Sequence, residues 1–416
     1  MGKNNKAELK NPWYPLFVTN FLSVFNDNLI KWLVIFIGVS WTAKENSTIV
    51  ISIANALLVL PFIIFSPYAG RLSRMYSKRK IMIIGKIAEI PIVLVAILGF
   101  YFQNFPIVMA SILGMGLQSS LFSPSKYGLV REIRGNEGIS FGTGMMEMLA
   151  FVGVLLGTVV AGKISDYYTL ELLAMVALTI AILGVGSAIL IKANELPVEE
   201  RPNDKINPIS FLKTEYKFAK KIKGLNYAIM GSAIFWLLGS LITMNLKLHC
   251  DTQYRMDNSQ TAFITALAAI GIAAGSIMVG LISNKKVRLG YTIIGTFGLA
   301  FSLLPIVLFN PNQNIFMVLI FMASFFAGMF KIPLNSFIQA NVEGRKLGDV
   351  LAYQNIAEFT LISLSAGIFS LVTLLSGNSS IAVFAVTAFI TFATAFYFLF
   401  KVPGIKDDLK RIIKME

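Results

Sequence analysis

The run FLSVFNDNLIKWLVIF, residues 21–36, sets Asn26, Asp27, Asn28 and Lys31 inside apolar sequence. An ionised group inside a bilayer costs upward of about 2.5 kcal/mol, so such groups usually face a partner or a wet cavity. Asp27 and Lys31 are four residues apart, share a helix face and can pair. Three consecutive polar residues sweep about 200° around a helix. No single partner can therefore take Asn26, Asp27 and Asn28 together. Lys86 and Glu89, three residues apart, can also pair. Glu147 and Glu358 have no basic residue three or four positions away. Lone carboxyls of this kind suit proton coupling, contact with a substrate amine, or capping of a backbone defect. At 1.5 Å per residue, Asp27, Glu147 and Glu358 fall roughly 14–20 Å into their apolar runs, near a bilayer midplane.

Long helices must carry these groups. Of the 416 residues, 56% are hydrophobic and 14% charged, where soluble domains have about 25% charged. Mean hydropathy is +0.70. Twelve runs are long enough to span a bilayer, at about 14–41, 48–70, 81–102, 105–124, 138–162, 170–191, 224–246, 261–282, 289–309, 314–332, 349–375 and 379–400. The fourth is expected to end at Pro124, which cannot donate to a helix ladder. The fold class is therefore all-α integral membrane. One Cys, Cys250, and one His, His249, make a zinc site or a Cys–His catalytic pair improbable. Glycine pairs such as Gly114 and Gly116 lie in apolar spans, outside the strand–turn–helix setting of a phosphate loop. We expect no enzyme, no catalytic residues, no metal and no cofactor.

Basic residues favour the cytoplasmic side of a membrane protein. With the N-terminus inside, the inner segments hold 30 of the 36 Lys and Arg. The outer loops hold Lys44, Lys163, Lys247 and Arg255, and Lys31 and Lys86 lie within spans. Both termini are thus expected in the cytoplasm. The net charge of +14 then belongs to an inner face set against anionic lipid, not to a nucleic-acid surface. The one long polar stretch, 192–223, divides the chain into two six-span halves, 1–191 and 224–401, followed by a tail, 402–416. The halves echo each other: Gly70, Ser73, Ile83, Ile84 and Gly85 recur 210 residues later, and Pro124, Gly135, Glu147 and Gly157 find counterparts at Pro333, Gly344, Glu358 and Gly367.

Such a parallel duplication resembles the major facilitator superfamily, whose site lies between the halves near mid-membrane. GRLSRMYSKRK, residues 70–80, resembles that superfamily's loop motif through Gly70 and the cluster Lys78, Arg79 and Lys80, with Arg74 where the pattern has an acid. Gly153, Gly157 and Ala161, and likewise Gly271 and Gly275, form small-residue faces for close helix packing. Lys126, in SPSKYG at 123–128, could snorkel to lipid headgroups or contact a phosphate at the inner mouth of a cavity.

FLSVFNDN, SPSKYG, TGMMEM at 143–148 and Phe235-Trp236 together resemble the bacterial lysophospholipid transporter family. That resemblance implies a flippase moving lysophospholipid, chiefly lysophosphatidylethanolamine, across the bacterial inner membrane by alternating access. It implies a substrate site including Asn26, Asp27, Asn28, Lys31, Lys126, Tyr127, Glu147 and Trp236. Lys86, Glu89 and Glu358 are expected as coupling or structural charges. Lys31 and Lys126 would attract phosphate, and Asp27 or Glu147 would hold the amine. Some relatives are fused to an acyltransferase. Here His249 lacks an acid five residues on, so a separate acyltransferase is the expected partner, beside substrate and membrane lipids. A monomer is expected, without nucleic acid. The alternatives are a proton-coupled exporter of small amphipathic compounds or drugs, and a non-transporting scaffold or receptor.

Overall fold

The computed structural model describes residues 12–37, 41, 47–167, 169–195, 197, 207–256, 258–283 and 287–414. Lys3, Lys6, Lys10, Lys44, Lys285, Lys286 and most of 196–206 lie outside the described residues, so nothing is added to their expected places in the loop count. The described residues form helices and no strand. In hydrocarbon, a helix satisfies every backbone group within one segment. Twelve helices are long and apolar enough to cross a membrane. In chain order they are α1 (Tyr14–Ile37), α2 (Ser47–Met75), α3 (Lys78–Tyr101), α4 (Phe105–Arg134), α5 (Ile139–Asp166) and α6 (Leu170–Ile189). After the linker come α8 (Leu225–Tyr254), α9 (Asn258–Ile282), α10 (Gly290–Phe309), α11 (Gln313–Asn341), α12 (Lys346–Leu375) and α13 (Ser380–Lys401). Two shorter helices, α7 (Pro208–Lys221) and α14 (Ile405–Ile413), occupy the linker and tail that the sequence reads only as polar.

Side-chain caps set several starts. The oxygens of Ser77, Asn104, Thr169, Asn207, Asn312 and Ser379 accept from backbone N–H groups in the first turns of α3, α4, α6, α7, α11 and α13. Pro124 does not end α4, which continues a further ten residues to Arg134. Pro333 sits in the same way inside α11. One missing donor leaves a single carbonyl unpaired, and the buried surfaces beyond each proline outweigh that loss. Both helices instead stop at glycine-marked turns, where Gly135 and Gly344 take φ of 65° and 63°, a region that suits a residue without Cβ.

The apolar core is divided. One cluster joins α8 to α14 through residues such as Leu241, Phe330 and Phe398, while separate clusters around Leu29 and Phe122 serve α1 to α6. The small-residue faces find their partners here. A Cβ on Gly157 would lie 2.5 Å from the Phe25 carbonyl of α1, and one on Gly275 would strike the Phe325 carbonyl of α11. Helices before and after the linker meet as α2–α12, α4–α12, α4–α11, α5–α11 and α5–α9.

Those meetings gather at the end where α2, α4, α9 and α11 finish and α5 and α12 begin. There Arg74 binds Asp349 at 2.8 Å, Arg345 donates to the Tyr76 carbonyl at 2.8 Å, and Arg131 donates to the Val342 carbonyl. A Cβ on Gly144 would lie 2.7 Å from the Ser276 carbonyl, and one on Gly348 would lie 2.7 Å from the Ser73 side chain. This end is shut. Arg74, where the loop motif expects an acid, meets an acid from the first turn of α12. The motif's link to a helix end is kept with its charges exchanged, and the N-terminus of α12 favours the negative partner.

Candidate functional site

A cavity of about 240 Å³ lies above the shut end, between the two sets of helices. Its ionisable walls are Lys126 and Tyr127 of α4, Glu147 of α5, Lys331 of α11 and Glu358 of α12. Glu147 is the hub. Its Oε1 lies 3.3 Å from Lys331 Nζ, accepts from the Tyr127 hydroxyl at 3.3 Å and accepts from Asn335 Nδ2 at 3.2 Å. The Lys331 ammonium also sits 4.2 Å from the Trp236 ring centroid and 5.0 Å from that of Phe235, a cation–π arrangement. Across the cavity, Glu358 Oε1 accepts from Ser232 and from Gln354 Nε2, the latter at 2.8 Å. Gln354 Nε2 also reaches Asn335 Oδ1 at 2.7 Å. One polar network therefore runs from α4 through α5, α11 and α12 to α8.

Three groups on this wall keep capacity for a ligand. Lys126 touches the rings of Tyr127 and Phe122, at 5.1 and 5.7 Å, with no ion pair among the described residues. The Trp236 N–H and Gln354 Oε1 are buried without hydrogen-bond partners among the described residues. Lys126 is 8% exposed, so it faces inward and does not snorkel.

Asn26, Asp27, Asn28 and Lys31 do not line this cavity. Asn26 donates to Glu89 Oε1 at 2.6 Å, and Glu89 binds Lys86 in a fully buried pair. Asp27 accepts from the Ser119 hydroxyl at 2.7 Å. Asn28 donates to the Val24 carbonyl of its own helix at 2.8 Å. The three neighbours thus turn to three different partners, as their angular spread requires. The pairing of Asp27 with Lys31 is not made among the described residues: the Lys31 ammonium lies 5.5 Å from the Trp32 ring centroid instead. Spacing allows that pair, but Ser119 of α4 offers the carboxylate a nearer donor.

Sequence reasoning missed Lys331, Asn335 and Gln354. The sequence places Lys331 with the inner segments because the tenth run, 314–332, ends one residue beyond it. It is 3% exposed within α11. Lys126 and Lys331 are two of the thirty inner cations and belong to the cavity. The echo of Pro124 by Pro333 did not reveal this, since Pro124 reads as a helix stop in the sequence while both helices run through their prolines.

The family model described as Major Facilitator Superfamily matches residues 16–366. The chain belongs to the major facilitator superfamily. This member of the superfamily is a multi-pass membrane transporter. It is similar to the lysophospholipid transporter LplT of Shigella flexneri serotype 5b, 25% identical over 367 residues, which cover 86% of this chain and 87% of that one. LplT of Yersinia pestis strain Pestoides F is 24% identical over 376 residues, 88% of each chain. Among solved structures, the human organic anion transporter MFSD10 superposes with TM-score 0.76 at 15% identity, covering 93% of this chain and 99% of that chain. The superfamily transporter FucP in its outward conformation does so with TM-score 0.72 at 10% identity, covering 93% and 98%. These two likenesses concern the fold.

Proposed function

We propose that this transporter moves lysophospholipid, with lysophosphatidylethanolamine as first candidate, across a bacterial inner membrane by alternating access. The observation that carries the reading is a cavity holding both signs of charge within reach of aromatic walls. A zwitterionic headgroup offers a phosphate to the Lys126 ammonium and the Trp236 N–H, and an amine to Glu147 and Gln354 Oε1. The names of the similar LplT proteins support the lipid class. We place both termini in the cytoplasm on the basic-residue count, which survives the loss of Lys126 and Lys331. The shut end is then cytoplasmic. Two six-helix halves, 1–191 and 224–401, rock about the cavity, and an acyltransferase on a separate chain would consume the delivered lipid.

Reconstituted protein should take up labelled lysophosphatidylethanolamine. Lys126→Ala should cut uptake by about tenfold or more, as loss of one charge-assisted contact is worth about 1.5–3 kcal/mol. Asp27→Ala should weaken it less, since Asp27 stands behind Ser119. Absence of lysolipid flux, with drug export that collapses when the proton gradient is removed, would replace this reading by the exporter.

A further inference from the structure

A second cavity opens behind the aromatic wall of the first. It has a volume of about 180 Å³ and shares Phe151 and Val154 of α5 with the central cavity. Leu238, Ile242 and Leu246 of α8, Ile272 of α9 and Leu299 of α10 supply much of the rest. Between the Phe235 and Leu246 levels it follows α8 for roughly 16 Å at 1.5 Å per residue. A space so long for its volume is a slot and suits a chain better than a ring system. Two of its three hydroxyls are spent: Thr243 donates to the Gly239 carbonyl at 2.8 Å and Thr265 to the Thr261 carbonyl at 3.0 Å, each within its own helix. Apart from Ser324 of α11, the slot therefore presents mostly hydrocarbon.

The partition between the cavities is thin. Phe151 stacks on Trp236 with centroids 6.2 Å apart, and Phe235 meets Trp236 edge-on at 5.4 Å. Trp236 faces the polar cavity while its neighbour Phe235 faces the slot. Lys331 holds both rings from the polar side.

We propose that this slot between α5, α8 and α9 seats the acyl chain of the lysolipid whose headgroup occupies the central cavity, and so sets the preferred chain length. This rests on the function proposed above. A single-chain lipid with its headgroup among Glu147, Lys126 and Trp236 must place its tail, and every methylene left in a wet cavity keeps the cost of exposed hydrocarbon. The apolar space adjoining the headgroup wall is this slot.

Gly239 lines the slot, and a Cβ there would meet nothing within 4 Å. Gly239→Phe should therefore fill the slot with little strain. In proteoliposomes, Gly239→Phe should lower uptake of long-chain lysophosphatidylethanolamine by about tenfold, the loss expected when two methylenes go unburied. Short-chain lysolipid should be affected far less. Competition by water-soluble glycerophosphoethanolamine should be unchanged. Thr265→Phe, from the opposite wall, repeats the test if Gly239→Phe does not fold. An unchanged chain-length profile in a folded, active variant overturns the slot and leaves the proposed function standing, as does an equal loss for the tailless competitor. Wild-type protein that moves no lysolipid overturns both readings.

Discussion

Lys331 has an acid on one side and two aromatic rings on the other; Lys331, Glu147 and Phe235 are buried and Trp236 is partly so. Removing one member of such a pair strands the other charge, at about 3–5 kcal/mol. Lys331→Met should lower thermal stability in detergent accordingly. The double variant Lys331→Met with Glu147→Gln should recover most of the stability but not lysolipid uptake. Unchanged stability of the single variant would show that the pair is not formed in solution. Carboxyls such as Asp27, Glu89, Glu147 and Glu358 were legible in the sequence because acid inside an apolar run is conspicuous. Their partners were not. Asn26 and Glu89 are 63 residues apart, and Glu147 and Asn335 are 188 apart, beyond any helical spacing rule. Only the local pair Lys86–Glu89 could be read from spacing, and the same rule misdirects Asp27 toward Lys31.

Among the elements, α7 shows what a polar linker conceals. Its Glu215 is 2% exposed and accepts from Lys346 of α12 at 2.5 Å. Burial pushes the Glu215 carboxyl above its ordinary range, against the opposing effect of Lys346; Asp349 of α12 pushes the same way as burial, and Arg74 of α2 opposes it. The docked helix therefore holds a proton on Glu215 more tightly than the undocked one. Docking should be strongest below the ordinary carboxylate range and weaken as pH rises through the raised value. Amide hydrogen exchange of residues 208–221, corrected for intrinsic rate, should show protection falling with pH, and Glu215→Gln should flatten that slope. A slope unaffected by the substitution would remove Glu215 from the account. The sequence hides α7 because its apolar face is short and broken by Lys and Glu. By contrast, the spans agree with the observed helices within a few residues wherever composition changes at their ends. They fail at α4, where Pro124 reads as a stop and the helix goes on, at α11, which continues from 332 to Asn341, and at α8, which continues from 246 to Tyr254.

For the whole molecule, the twelve-span architecture was legible because bilayer thickness acts on the length and composition of every spanning segment. The shut end was not, since its contacts join residues such as Arg74 and Asp349, 275 positions apart. The cavity has one further consequence. Its charged lining is two lysines and two glutamates, Lys126, Lys331, Glu147 and Glu358, whose formal charges cancel. A zwitterionic cargo adds nothing to that sum, so the loaded carrier turns over electrically silent. A lysolipid with an anionic headgroup and no amine carries one negative charge through the field, worth about 2.3 kcal/mol per 100 mV. Clamping proteoliposomes with valinomycin and potassium should leave lysophosphatidylethanolamine uptake unchanged and slow inward movement of lysophosphatidylglycerol at inside-negative potential. Equal voltage dependence for both would mean that another charge moves with the lipid.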